Sequence, residues 1–200
     1  MKTVTFDWDG TLANTIPDIV ANLQYFALDA GLRYPTEDEI LPLIGTTVEN
    51  ILVSLFFNQK VSRPVGLISR YREISERSVP KLFDNVPIIL TLLKNQDYRL
   101  CIASSRSRQG LDRQLALTEL DGFFDETIVA EESMQKPHPE MLIRTSTNIY
   151  VGDALIDAQM AAAAGIDFVG VACGAATKGQ FIRAGVKTII PNVKFLLEIL

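Results

Sequence analysis

The chain has 200 residues, 48% hydrophobic and 22% charged, which suits a soluble globular protein with one sizeable domain plus a smaller insert and excludes a disordered chain. A net charge of −5, a pI near 5.0 and the lack of any basic run exclude a broad nucleic-acid or anionic-membrane surface. Cys101 and Cys173 lie in or beside apolar strand-like runs and read as buried thiols of a reducing compartment rather than a disulfide framework.

Met1-Lys2 leads straight into a strand, with no signal-like apolar run there and no run long enough to span a bilayer, so a cytoplasmic location is expected. Residues 4–6 read as a short buried strand bounded by the turn signal Asp9-Gly10. Such a strand projects Asp7 and Asp9 at its carboxyl edge, where open α/β sheets bind ligands, and Gly10 lets the next loop come close. Two carboxylates this near repel by about 4 kcal/mol at an effective dielectric of about 20, so they need a cation or a shared proton.

Thr15 is expected to cap a helix with Pro17 in its first turn, Asp18 facing the dipole and Gly31 as the stop. Ile16, Ile19, Val20, Leu23, Ala27 and Ala30 make one apolar face. Thr36-Glu37-Asp38-Glu39 forms a capping box for a short second helix ending before Gly45, and Thr46-Thr47-Val48-Glu49 opens a third to about Phe57. Ser62-Arg63-Pro64 begins a fourth, to about Ser78, closed by Pro80. Residues 14–81 are thus helical without a strand signal.

From Asn85 strands alternate with helices, the pattern of parallel βαβ units. Helices are expected at about 86–95, 108–117, just after Pro139, up to Ala164 before Gly165, and from Asn192 to Leu200; strands at about 99–103, 127–130, 148–151 and 168–171. The expected fold is α/β: a Rossmann-like parallel sheet over residues 1–13 and 82–200, interrupted by a small α-helical bundle over 14–81.

Polar residues that apolar strands do not need stand at four places: Asp7 with Asp9, Ser104 with Ser105, Lys136, and Asp153 with Asp157. In a right-handed parallel sheet all four converge on the carboxyl edge. With these residues the chain resembles the haloacid dehalogenase superfamily, in the branch with a helical cap after the first motif, and within it the phosphoglycolate phosphatases. Asp7-Trp8-Asp9-Gly10-Thr11 matches the first motif and Ser104, after Leu100-Cys101-Ile102-Ala103, the second; Lys136 in Lys136-Pro137-His138-Pro139 matches the third, and Gly152-Asp153 with Asp157 the fourth.

The resemblance implies a magnesium-dependent phosphatase of a small phosphorylated metabolite, monomeric or weakly dimeric, with no nucleic-acid or membrane partner. Asp7 would be the nucleophile, and Asp9 the acid that protonates the leaving alcohol and then activates water. Mg2+ would sit on the Asp7 carboxylate, the Asp9 carbonyl and Asp153, with Asp157 supporting through water. Lys136 and Ser104 would hold the phosphate, helped by backbone N–H groups near Gly10 and Ser105. The cap loop Gly45-Thr46-Thr47 would read the substrate. The four acids against Lys136 alone would repel a phosphate without the metal.

Plainer readings stand beside these. Ser104 could cap the following helix, Asp157 could complement a helix dipole, His138 between two prolines reads as exposed or structural, and Arg106 and Arg108 read as solvated charges within reach of an anionic substrate. Trp8 is bulkier than the usual aliphatic residue and is expected to pack. Only 153 − 136 = 17 positions separate Lys136 from Asp153, roughly two helical turns fewer than the family shows, so the helix after Pro139 must be stunted.

A phosphosugar mutase like β-phosphoglucomutase is the second enzyme reading, disfavoured because Gly45-Thr46-Thr47-Val48 lacks a basic residue for a second phosphate. A dehalogenase has no need of an acid at position 9. A receiver-type phospho-acceptor domain would place Lys136 after the last acids and carry no helical insert. A calcium loop from Asp7 fails at Thr11 and Leu12.

Overall fold

The apolar runs between turn signals pair into a six-stranded, wholly parallel sheet in the computed structural model, which describes residues 2–57 and 65–200. The strands are β1 (Thr3–Phe6), β2 (Arg99–Ser104), β3 (Glu126–Val129), β4 (Ile149–Gly152), β5 (Asp167–Val171) and β6 (Thr188–Ile190), in the order β3-β2-β1-β4-β5-β6. Val4 registers with Leu100 on one side and Ile149 on the other. The direction of winding therefore reverses between β1 and β4, the switch point where successive loops diverge and leave a crevice.

Alternation along the strands supplies two faces. Val4, Phe6, Leu100, Ile102 and Val151 pack with Val86, Ile89, Leu90 and Leu93 of α5 (Val86–Asn95), Leu111 and Leu115 of α6 (Arg108–Leu117) and the C-terminal 3-10 turn. The residues between them face the other way: Ala103, Ile128 and Tyr150 meet Met141 and Leu142 of α7 (Glu140–Arg144) and Met160 and Ala161 of α8 (Leu155–Ala164).

A third apolar cluster belongs to the helical segment. Ile16, Val20, Leu23 and Phe26 of α1 (Ile16–Asp29) pack with Ile40 of α2 (Glu37–Ile40), Ile51, Leu52 and Leu55 of α3 (Val48–Phe56), and Tyr71 and Ile74 of α4 (Val65–Ser75). Its two connections to the sheet run antiparallel beside each other: the Asn14 N–H donates to the Lys81 carbonyl (2.7 Å) and the Phe83 N–H to the Leu12 carbonyl (3.0 Å).

Local signals explain most boundaries. The Thr36–Glu39 capping box forms, and the Thr47 hydroxyl accepts from the Asn50 N–H at the start of α3. The fourth-helix start at Ser62-Arg63-Pro64 lies outside the described residues, and α4 ends at Ser75, short of Ser78. Thr15 occupies the N-cap position of α1, but its hydroxyl makes no cap bond. Asn192 does cap the last turn, through the Lys194 N–H, but the 3-10 geometry of Val193–Glu198 replaces the expected α-helix. α9 (Lys178–Arg183) and β6 were not expected; a Thr177–Gln180 capping box announces the first, whereas three residues are too few to show a period.

The helix after Pro139 is indeed stunted, at five residues. The hydroxyls of Thr5, Thr145 and Thr147 meet below β1, Thr147 lying 2.6 Å from each of the others, and fasten this short crossover to the sheet. Cys101 is buried as expected, whereas Cys173 is only half-buried. No described helix is long and apolar enough to cross a membrane.

Adjacent positions on α5 separate core packing from propensity. Leu93 is fully buried and Leu92 is 40% exposed. Leu93→Ala is expected to lower unfolding free energy by about 2–5 kcal/mol in urea denaturation, and Leu92→Ala by no more than about 0.5 kcal/mol; equal losses would contradict the assigned facing of α5.

Candidate active site

The ladder of β1 continues one residue past Phe6, where the Asp7 N–H donates to the Val151 carbonyl at 2.8 Å. This fixes Asp7 at the carboxyl edge of the central strand, beside Asp153 at the end of β4, so the switch point carries both acids. Asp7 is 3% exposed, and Asp153 and Asp157 are fully buried. One carboxylate oxygen of each lies within 4.8 Å of the others.

Lys136, from the β3–α7 loop, reaches into this cluster with no exposed side-chain surface and donates to Asp7 Oδ1 and Asp157 Oδ1, both at 2.8 Å. Burial alone would lower its pKa, but the charges of Asp157 and Asp7 outweigh it and raise it, so the ammonium is retained. Burial pushes Asp7 up to about 7, with Lys136 pulling it back down.

Asp153 has no lysine or arginine partner among the described residues. The Thr11 hydroxyl donates to its Oδ1 (3.0 Å) and the Ala175 N–H to its Oδ2 (2.7 Å). Burial pushes it well above the carboxylate range, and the charges of Asp7 and Asp157 push it further. Gly10 is what lets the first loop approach it: its φ is +73°, and a Cβ there would stand 2.1 Å from Asp153 Oδ2. An all-oxygen set with uncompensated negative charge fits a hard divalent cation.

Asp157 is committed otherwise. Its Oδ1 accepts from Lys136 and from the Tyr150 hydroxyl (2.9 Å), and its Oδ2 from the Ala154 N–H (3.0 Å) at the start of α8. It orients Lys136 and binds the start of α8 together, as the helix-terminus reading expected.

Asp9 lies apart from the cluster. Arg106 chelates it, Nε to Oδ2 at 2.8 Å and Nη2 to Oδ1 at 2.6 Å, and the Thr15 hydroxyl donates to Oδ1 at 2.6 Å. Arg106 is 20% exposed, so its reading as a solvated charge is corrected. The count of one cation against four acids is corrected with it: Arg106 makes two. Arg108 instead ties Thr127, Asp112 and Glu132 together, and lines neither cavity described below.

Ser104 is fully buried, and its hydroxyl accepts from the Arg106 N–H at 3.2 Å; the cap of α6 is Ser107 instead. The Ser105 hydroxyl donates to the Gly45 carbonyl. Gly45 has φ +92°, and a Cβ there would meet Ile156 Cγ2 at 2.7 Å, so this loop approaches the start of α8 closely. The Thr46 hydroxyl turns back to the Leu43 carbonyl (2.7 Å). The Gly10 N–H donates to the Ala13 carbonyl at 2.8 Å and is not aimed at a ligand. Trp8 packs in the core, its indole N–H donating to Gln114. His138 is exposed.

A chamber of about 90 Å³ lies over Asp7 and Asp9, lined also by Thr15, Ile44, Gly45 and Tyr71. Beside it runs a groove of about 400 Å³ between α3, α4 and α6. The contacts of Thr11, Thr15, Tyr71 and Tyr150 escaped the sequence reading: Thr11 stood inside the first motif and Thr15 six residues after Asp9, while nothing local marks the two tyrosines.

Comparison with known proteins agrees with this architecture. Residues 4–171 match the family model of haloacid dehalogenase-like hydrolases. A pyrophosphatase PpaX of Bacillus cereus (strain G9842) is 31% identical over 149 residues, 71% of this chain and 66% of that protein, so the match spans just under two thirds of the relative's length. A crystal structure of a Bacteroides fragilis protein, provisionally named a haloacid dehalogenase-like hydrolase, aligns with TM-score 0.81 at 28% identity over 98% of this chain and 99% of that one. A predicted phosphoglycolate phosphatase of Haemophilus somnus shares the fold, with TM-score 0.82 at 20% identity over 100% and 97% of the two chains. With the family model matching most of its length, the chain belongs to the haloacid dehalogenase-like hydrolases.

Proposed function

We propose that the chain is a magnesium-dependent phosphatase of a small phosphorylated metabolite, similar to phosphoglycolate phosphatases. The observation that carries this reading is Asp7, held at the sheet edge by Lys136 and set beside the uncompensated Asp153 under a small cavity.

An oxygen of Asp7 attacks phosphorus, the bond from phosphorus to the leaving oxygen breaks, and Asp9 gives that oxygen a proton. Water then gives a proton to Asp9 and attacks the aspartyl-phosphate; its bond to Asp7 breaks and inorganic phosphate leaves. Lys136 keeps Asp7 in one rotamer and presents positive charge to the phosphoryl oxygens. Asp7, the Asp9 carbonyl and Asp153 would hold magnesium, which when bound neutralises phosphoryl charge.

Residues 14–81 act in this reading as a cap whose Gly45 loop meets the core at Ser105 and Ile156. A phosphosugar mutase finds no support in that loop: it carries no basic residue, and the Thr46 and Thr47 hydroxyls are engaged within the helical segment itself.

Hydrolysis of para-nitrophenyl phosphate is expected to stop with chelator and return with magnesium; full activity in chelator overturns the site assignment. In thermal denaturation, magnesium at a hundred times its Kd should stabilise the wild type by about 2.7 kcal/mol and Asp153→Asn by far less, because that change removes the carboxylate lacking a protein cation.

Asp7→Asn should abolish turnover of every ester, since an amide is a poor nucleophile. Asp9→Asn should slow alkyl phosphates by about 10²–10⁴-fold and aryl phosphates less, because only poor leaving groups need the proton. Steady-state rates on both classes check this, and equal losses would refute the role given to Asp9.

A further inference from the structure

Arg106 stands at the wall between the two cavities, lining both the chamber over Asp7 and the larger groove. Its guanidinium and the Thr15 hydroxyl together engage both oxygens of Asp9. To serve a leaving oxygen, Asp9 must turn an oxygen away from Arg106. A largely buried guanidinium is then left without its counter-charge, which is costly unless another anion replaces it.

The groove offers room for that anion and a second cation. Arg113, seven residues on along the same wall, donates to a neutral group, the Ser78 carbonyl at 3.3 Å, and makes no ion pair with the described residues. Arg72 across the groove is already matched by Glu49 (3.0 Å) and Glu131 (3.7 Å), and Glu76 on that side is exposed. The positive charge still open to a ligand is therefore on the α6 side.

We propose that the leaving group of the substrate carries a second anionic group, a carboxylate or a phosphate, which Arg106 and Arg113 take up in the groove, and that this exchange of partners frees Asp9 to act. The inference rests on the phosphatase reading. A neutral leaving group gives Arg106 nothing in exchange and leaves Asp9 engaged, so the pair is a filter on substrate charge built into the catalytic acid.

The test uses the magnesium-loaded full chain on three esters, phosphoglycolate, glycerol phosphate and para-nitrophenyl phosphate, and one anhydride, pyrophosphate. Wild-type kcat/KM is expected to be about a hundredfold higher for phosphoglycolate or pyrophosphate than for glycerol phosphate; which of the two leads tells carboxylate from phosphate. Arg106→Gln should remove that advantage and speed glycerol phosphate, because Asp9 is released. Arg113→Gln should raise KM for phosphoglycolate and pyrophosphate by about tenfold.

Equal wild-type rates on anionic and neutral alkyl esters would overturn the inference, as would an Arg106→Gln variant that slows both alike; the wild-type comparison stands even if that variant misfolds. If para-nitrophenyl phosphate is turned over and no anionic preference appears, only this inference falls. If no ester is turned over, the phosphatase reading falls and takes it along.

Discussion

The buried ammonium of Lys136 is the constraint on which the rest of the site depends. Three carboxylates, Asp7, Asp153 and Asp157, come together with almost no access to water, an arrangement that mutual repulsion and desolvation both oppose. Lys136 bonds two of them, and its own burial is tolerable only because they are there. The supports reach outward in layers. The Tyr150 hydroxyl steadies Asp157, the α8 terminus binds its other oxygen, and the ring of Tyr150 lies 5.6 Å from the Lys136 nitrogen. The remaining carboxylate, Asp153, is met among the described residues only by neutral donors. The protein has thus balanced all but the corner at which a divalent cation fits.

Asp9 shows a different economy of charge. It shares the first loop with Asp7 yet points to another set of partners, and these come from separate stretches: Arg106 from the loop after β2, and Thr15 from the entry to the helical segment. Tyr71 of α4 feels both charges, its hydroxyl raised chiefly by burial, with Asp9 adding and Arg106 opposing. The acid therefore stands where the sheet, the β2–α6 loop and the helical segment meet, and a shift in any of them reaches it.

Much of this was legible in the residues because the signals are local. The Asp7 to Thr11 loop, the alternation of strands and helices after Asn85 and the Thr36–Glu39 capping box each declare themselves within a few positions. Even the shortfall between Lys136 and Asp153 correctly implied a truncated helix. What stayed hidden is what depends on tertiary approach. Arg106 looks like any charged residue at a helix entrance until the fold sets it against Asp9, 97 positions earlier in the chain. Thr15 has the ordinary features of a helix cap, but a charged acceptor nearby offers its hydroxyl a stronger bond than a backbone N–H does. The sixth strand has too few residues to reveal a period and is defined by its neighbour β5.

The paired connections at Asn14 and Lys81 bear on how the chain finds this fold. β1 lies at one end of the sequence and its partners far along it, a separation that ordinarily slows assembly because a long loop must close before any contact forms. The intervening segment has its own apolar cluster, and once it has packed, its two ends already lie side by side. For the diffusing chain, β1 and β2 are then joined by something close to an ordinary helical crossover through α5 rather than by a long tether. The inserted helices thereby shorten the search for the pairing of β1 with β2.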